Sequence, residues 1–343
     1  MLTKFIEGLG SKLAEQWVVA LLTPAFLFWA SGFGIWAYHY GWGRFIQRFA
    51  ALSPPTKILV LIVGLIVVAV SALIVRRLEA PVLRLLEGYW PRVRPIKWLR
   101  RKLVGRKIDR IESMKNQWGA LKVKEASGSL TSEETEELRD LEWKLHYVPS
   151  APEQYMPTKL GNILRAAELR PSIHYGLDVI VCWPPIWMLL PAEVKKDLTD
   201  ARADLDAGVR VLLWGCLFLT WSALARSWWM PLVIIALSIS AITFSYFYMV
   251  VGAAEIYGSL LESAFYLYRP ALYQALRWPS PSKPAEEKTI GDALTMYLWR
   301  GLYQDDQVFT AAEAKPPSPP SPTTIIVEAP EVMRELRRIV NRK

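Results

Sequence analysis

"VIVCWPPIWMLLP", residues 179–191, is apolar throughout and carries Pro184-Pro185 near its centre. Whether it enters a membrane or the core of a water-exposed domain decides how the rest of the chain is arranged. A bilayer core about 30 Å thick needs roughly 20 apolar residues in a helix, and this stretch is too short. Its two prolines remove two backbone donors, and a helix broken in lipid leaves carbonyls without partners. An odd fifth crossing would also separate the flanking regions, against the charge pattern given below. The stretch reads as non-spanning: a core segment, or one lying on the membrane face through Trp183 and Trp187. Its first part, "LDVIVCW", is the one convincing strand-like run.

Outward from it, four stretches qualify or nearly qualify as spans. They are Trp17 to Tyr38, Ile58 to Val75 (from Lys57 if the boundary residue is counted), Val211 to Ala225, and Trp228 to Ala254. The third covers only about 22 Å at about 1.5 Å per residue. It crosses if Arg210 and Arg226 snorkel and Gly208-Val209 join the helix. Trp36, Tyr38, Tyr40 and Trp42, then Trp221, Trp228 and Trp229, gather where span ends meet headgroups.

Composition agrees with a mixed architecture. The 343 residues are 52% hydrophobic with 16 Trp, and mean hydropathy is +0.17. That is too high for an ordinary soluble protein and too low for spans alone. The expected fold class is mainly α: a polytopic membrane protein with four transmembrane helices. Its α-rich cytoplasmic domain comes from the loop between spans two and three and from the C-terminal extension.

Lys and Arg set the orientation. Lys4 and Lys12 precede span one, Arg76, Arg77, Arg84, Arg92 and Arg94 follow span two, and Lys195, Lys196 and Arg202 precede span three. The other side has Arg44, Arg48, Lys57 and Arg226. The excess puts both termini and the central segment in the cytoplasm, the location expected being a bacterial inner membrane. The N-terminal "MLTKFIEGLGSKLAEQ" lacks a signal-peptide pattern and reads as a retained amphipathic segment.

Five units follow: 1–75 with two spans, 76–206 as a cytoplasmic insertion, 207–254 with two more spans, 255–314 as a helical extension, and 315–343. The insertion opens with Arg76, Arg77, Arg84, Arg92, Arg94, Lys97, Arg100 and Arg101 interleaved with apolar residues. Next to a span this pattern suits contact with anionic lipid headgroups; nucleic acid is the weaker reading. A helical hairpin follows, its second helix opened by a capping box at Thr131 and Glu134. A short helix is expected from Thr158 to just before Pro171, with Asn162, Arg165 and Glu168 on one face. One helix is expected to run from Pro191 into span three, and another from span four through residue 278. "KPPSPPSPTT" reads as an extended linker, and "PEVMRELRRIVNRK" as a basic amphipathic helix.

Chemistry is sparse. The spans contain almost no ionisable groups, which counts against a proton-coupled transporter. Ser238, Ala241 and Ser245, and Ala30, Gly34, Ala37 and Gly41, form small-residue stripes suited to helix packing or, alternatively, to lining a pore. Glu255, Glu262 and Arg269 recur every seven residues as a polar seam in a bundle or a site at the membrane face. Asp197, Asp200 and Asp204 share a face that would suit a metal in lipid-phosphate chemistry, yet i, i+4 pairs with Lys and Arg favour a solvated face. Cys182 and Cys216 read as two buried thiols with no disulfide framework. No catalytic motif, metal set or cofactor is identified, and the three histidines are scattered.

The expected function is a membrane anchor or scaffold, self-associating and presenting a cytoplasmic helical domain to a protein partner. The alternatives are an oligomeric channel lined by spans one and four, and a metal-dependent lipid-acting enzyme.

Overall fold

The computed structural model describes residues 23–91, 93–302 and 308–310. Residues 17–22 of the first expected span, the N-terminal segment, Arg92, the Pro-rich linker and the C-terminal segment lie outside it. Of the described residues 84% are helical and none is in a strand.

Three helices are long and apolar enough to cross a membrane. The first, α3 (Pro54–Glu87), follows α1 (Thr23–Tyr40) and α2 (Trp42–Ala50). Its apolar side chains face outward without a break from Ile58 to Val67, Leu65 being 65% exposed, while Val68 and Ala72 turn inward. An uninterrupted exposed apolar surface of this length is what lipid contact requires. The second, α8 (Ala192–Phe218), ends in a 3₁₀ segment, Leu219–Leu224. The third runs unbroken from Trp229 to Ala275 as α9 (Trp229–Phe244), a π segment (Ser245–Val250) and α10 (Val251–Ala275).

The described part of the first expected span, α1, lies beside these helices. Trp29 donates to Ser71 Oγ at 3.0 Å, and Ala25 is buried against Val68, Ala72 and Trp214. Trp221 packs so closely on Gly32 that a Cβ there would lie 2.2 Å from its ring. The segment after it holds an amphipathic helix, α2, where a plain loop is expected. Gly41 at φ 87° breaks the chain direction, and Phe45 of α2 folds its ring back onto Phe33, 4.9 Å away.

The remaining helices are α4 (Arg94–Ala126), α5 (Ser132–His146), α6 (Lys159–Tyr175), α7 (Val179–Leu189) and α11 (Pro284–Arg300). The opening stretch is therefore helix, not strand. The side chain of Asp178 accepts from the N–H groups of Ile180 and Val181 and caps α7. A two-proline helix holds because one face is driven into a core. Cys182 and Ile186 are fully buried among Leu177, Phe265, Leu272, Tyr273 and Trp278. Burial of that many large apolar groups outweighs the two carbonyls left without helical donors.

Pro171 does not end α6 either. The helix continues to Tyr175; Gly176, at a left-handed φ of 70°, donates its N–H to the Ser172 carbonyl, and Leu177 N–H closes on the Pro171 carbonyl. Close approach, rather than proline, fixes this corner: Gly291 of α11 sits where a Cβ would lie 1.8 Å from the Tyr175 carbonyl.

Three cores are stacked along α8. Trp214 belongs to the cluster with α1 and α3. Leu205 and Val209 pack with Leu83, Leu160, Ile163, Val250 and Ala254. Leu198 lies in the distal core under α7 and α11. From Leu198 to Trp214 is about 24 Å along the helix axis, so one element ties the long apolar helices to the distal core.

Candidate functional site

The seven-residue recurrence on α10 places Glu255, Glu262 and Arg269 on one face, and each finds an opposite charge. Lys159 meets Glu255 at 3.2 Å, Arg170 pairs with Glu262, and Arg269 meets Glu287 at 2.5 Å. The Arg269 guanidinium also lies over the rings of Tyr175 and Tyr266, at 4.3 and 5.2 Å. The seam thus joins α10 to α6 and α11. Heptad spacing reveals its α10 half; Lys159, Arg170 and Glu287 come from distant segments that no local spacing connects.

A second pair was not anticipated. Arg210 of α8 makes two contacts to the Glu79 carboxylate of α3, Nε–Oε1 at 2.5 Å and Nη2–Oε2 at 3.3 Å. Both side chains are largely buried. The one available signal was that Glu79 is an acid among the basic residues that follow span two. The pair clamps two apolar helices where their uncharged segments end. Just beyond it, Ser245 donates to the Gly208 carbonyl at 2.6 Å. This cross-helix bond stands at the start of the π segment, where one extra residue per turn is inserted.

The small-residue stripes divide. Ser238 and Ser245 are buried within one chain, and Ala241 lies against Gly215 of α8. On α1, Ala37 is buried while Ala30 is exposed, and a Cβ at Gly34 would meet open space. Arg76, Arg77, Arg84, Arg94, Lys97, Arg100 and Arg101 are all exposed. Asp197, Asp200 and Asp204 are exposed, with Asp200 3.4 Å from Lys196. Among the described residues no group of His, Cys, Asp and Glu converges on a metal-sized site. Cys182 is buried, which pushes its thiol up to about 11, while Cys216 is exposed rather than buried because it faces outward on α8.

Asn162 is fully engaged: it accepts from Met156 N–H and donates to the Met156 and Thr158 carbonyls, all at 2.8–2.9 Å. Arg165 and Glu168 pair at 3.4 Å, and burial raises the Glu168 carboxyl despite that arginine. Asn162 thus fixes the entry to α6, while the Arg165–Glu168 pair lies along the helix.

The helical hairpin α4–α5 is the least integrated element. Thr131 accepts from Glu134 N–H while the Glu134 carboxylate accepts from Thr131 N–H, a complete capping box. Its own core is Leu121, Leu138 and Leu141 with Met114 and Leu130 against it. Lys122 bridges to Glu142 at 2.7 Å across the two helices. At about 1.5 Å per residue, α4 is about 50 Å long. Along it and α5, Trp98, Val123 and Trp143 are 58%, 71% and 61% exposed. Its base is held by Lys115 donating to Ser150 O and the Tyr155 hydroxyl, each at 3.1 Å, and by Arg170 at 2.9 Å from His146 Nε2.

Three clefts border these elements. One of 430 Å³ lies between His146, Arg170, His174 and Glu262. One of 560 Å³ is aromatic, lined by Trp183, Trp187, Met188 and Tyr257. One of 470 Å³ separates the hairpin from α6 and the π segment and is basic, with Lys107, Arg110, Lys144 and Lys159 against Glu255. The chain matches no protein-family model, no curated protein and no solved structure.

Proposed function

We propose that the chain is an integral membrane scaffold that presents the α4–α5 hairpin to a protein partner. Four helices cross the bilayer, α1 being part of the first, and both ends lie on the cytoplasmic side of a bacterial inner membrane. The observation that carries this reading is the hairpin itself. It is a long arm with a separate three-leucine core and exposed aromatic and aliphatic side chains, rooted by a few polar contacts. A helix pair that contributes so little to the cores around it is suited to meeting another molecule.

Two further features complete the proposal. The exposed Arg77, Arg84, Arg94, Lys97, Arg100 and Arg101 rest on anionic headgroups. Exposed Ala30 with open space at Gly34 provides the surface by which copies associate. Of the serines that prompted a pore, Ser245 is bonded to Gly208 of α8 and Ser238 is buried within the chain, and the Asp face that prompted an enzyme is exposed, with Asp200 beside Lys196.

The test is a photoreactive side chain at position 123, introduced in intact membranes. The expected result is an adduct between the hairpin and a different protein, absent when the reactive group is moved to position 200. Adducts with lipid or with the chain's own copies alone would overturn the scaffold. Labelling with a membrane-impermeant maleimide checks the topology. Cysteines placed near the N-terminus and near the C-terminus react from the same side under four crossings and from opposite sides under three.

A further inference from the structure

The basic cleft between the hairpin and the end of the third long helix has a composition that none of the roles above uses. We propose that it binds the phosphate of an anionic membrane phospholipid, with the acyl chains leaving along α9. Lys107 and Arg110 stand one turn apart on α4 and face the cleft. Partial burial, then the neighbouring cations Arg110 and Lys159, hold the Lys107 ammonium below the usual lysine range. Lys159 is matched by Glu255 at 3.2 Å and Lys144 by Asp140. Among the described residues, Lys107 and Arg110 form no ion pair. Two unmatched cations at the wall of a 470 Å³ cleft make a site for a compact anion.

Position selects the source of that anion. Phe247, on the cleft wall, belongs to the π segment. Val250, three residues on, packs against Gly208. Gly208 is two residues from Arg210, so the cleft opens within about one helical turn of the Glu79–Arg210 clamp. That is where the exposed apolar surface of the long helices gives way to charge. Phe244, Phe247 and Tyr248 are 56%, 56% and 73% exposed, an outward aromatic edge of the kind found at headgroup depth. A phosphate held by Lys107 and Arg110 leaves its glycerol and chains beside these rings. A free phosphate would gain nothing from them.

The proposal rests on the three long helices crossing a bilayer but not on any partner of the hairpin. Full-length protein purified in a mild neutral detergent is titrated with phosphatidylglycerol and with phosphatidylcholine and observed by native mass spectrometry. One tightly held phosphatidylglycerol is expected, with no phosphatidylcholine retained. The double variant Lys107→Gln/Arg110→Gln should weaken retention roughly tenfold or more. Lys107→Arg should retain it, as should the charge-matched control Lys195→Gln/Lys196→Gln. Equal retention by the double variant overturns the site, and displacement by millimolar inorganic phosphate overturns the lipid as its ligand. If the double variant fails to fold, a photoreactive phosphatidylglycerol on the wild-type protein decides. Adducts at residues 107–114 or 143–148 support the site, and adducts elsewhere alone overturn it.

Discussion

The distal domain and the α4–α5 hairpin use the same ingredients, apolar helix faces and Lys/Arg–carboxylate pairs, at very different depth. In the domain, Phe265, Leu272, Tyr273 and Trp278 are almost wholly covered, and the pairs around them are largely enclosed. In the hairpin three leucines suffice for a core, and the Lys122 pairs stand in solvent. Buried pairs are costly to break because the surviving charge is stranded, whereas exposed ones contribute little. The distal core and the long helices, which share α8 and α10, are thus expected to behave as one rigid body. The hairpin is built to open or move locally without unfolding that body.

The sharpest way to break this contrast is Glu79→Ala, which leaves Arg210 charged between two apolar helices. A loss of about 3–5 kcal/mol is expected, seen as a large fall in thermal stability in detergent. Replacing Arg210 by Met in the same chain should recover much of it. Unchanged melting of the single variant would mean that the clamp is solvated.

Next is Leu138→Ala, which removes one of the hairpin's three buried leucines at about 2–3 kcal/mol. Hydrogen exchange over residues 116–145 should accelerate while exchange in α10 and α11 stays unchanged. Coordinated acceleration of both regions would show that the arm is part of the rigid body after all. Thr131→Ala, which deletes the cap of α5, should cost about 1 kcal/mol, confined to the same window.

The smallest effect is pH-dependent and sits at the hairpin's root. Partial burial, then the neighbouring Arg170, holds the His146 imidazole below its ordinary value of 6.5. The folded state prefers neutral histidine, so the unfolded or undocked state takes up the proton first as pH falls. The stabilisation is therefore complete above about pH 6.5 and is lost as pH drops from there towards the lower folded value. Exchange at the C-terminal end of α5 should quicken modestly between about pH 7.5 and 5.5. His146→Gln should abolish the difference, and a persistent pH effect in that variant would assign it to another group.

Several elements were legible because their signals are local. The long apolar runs bounded by Arg and Lys, the Thr131–Glu134 box and the heptad spacing of Glu255, Glu262 and Arg269 each lie within a few turns of chain. The errors had local causes too. Pro171 and Pro184-Pro185 look like breakers, and "LDVIVCW" like a strand, because propensity weighs a residue without the core that covers it. Trp278 and Leu294, which bury α7, lie about a hundred residues away.

Sequence by itself determined that this is a helical chain with membrane-length apolar segments and a charged, water-facing remainder. Those properties follow from composition and periodicity, which act residue by residue. Tertiary structure alone decided which charges meet, which serines are enclosed and which helices stand apart. Those outcomes depend on distances between segments far apart in the chain: Glu79 to Arg210, Arg170 to Glu262, Lys107 to Phe247 across a cleft. No one-dimensional pattern encodes the closing of such gaps, because the free energy that closes them is supplied by the stacked cores as a whole.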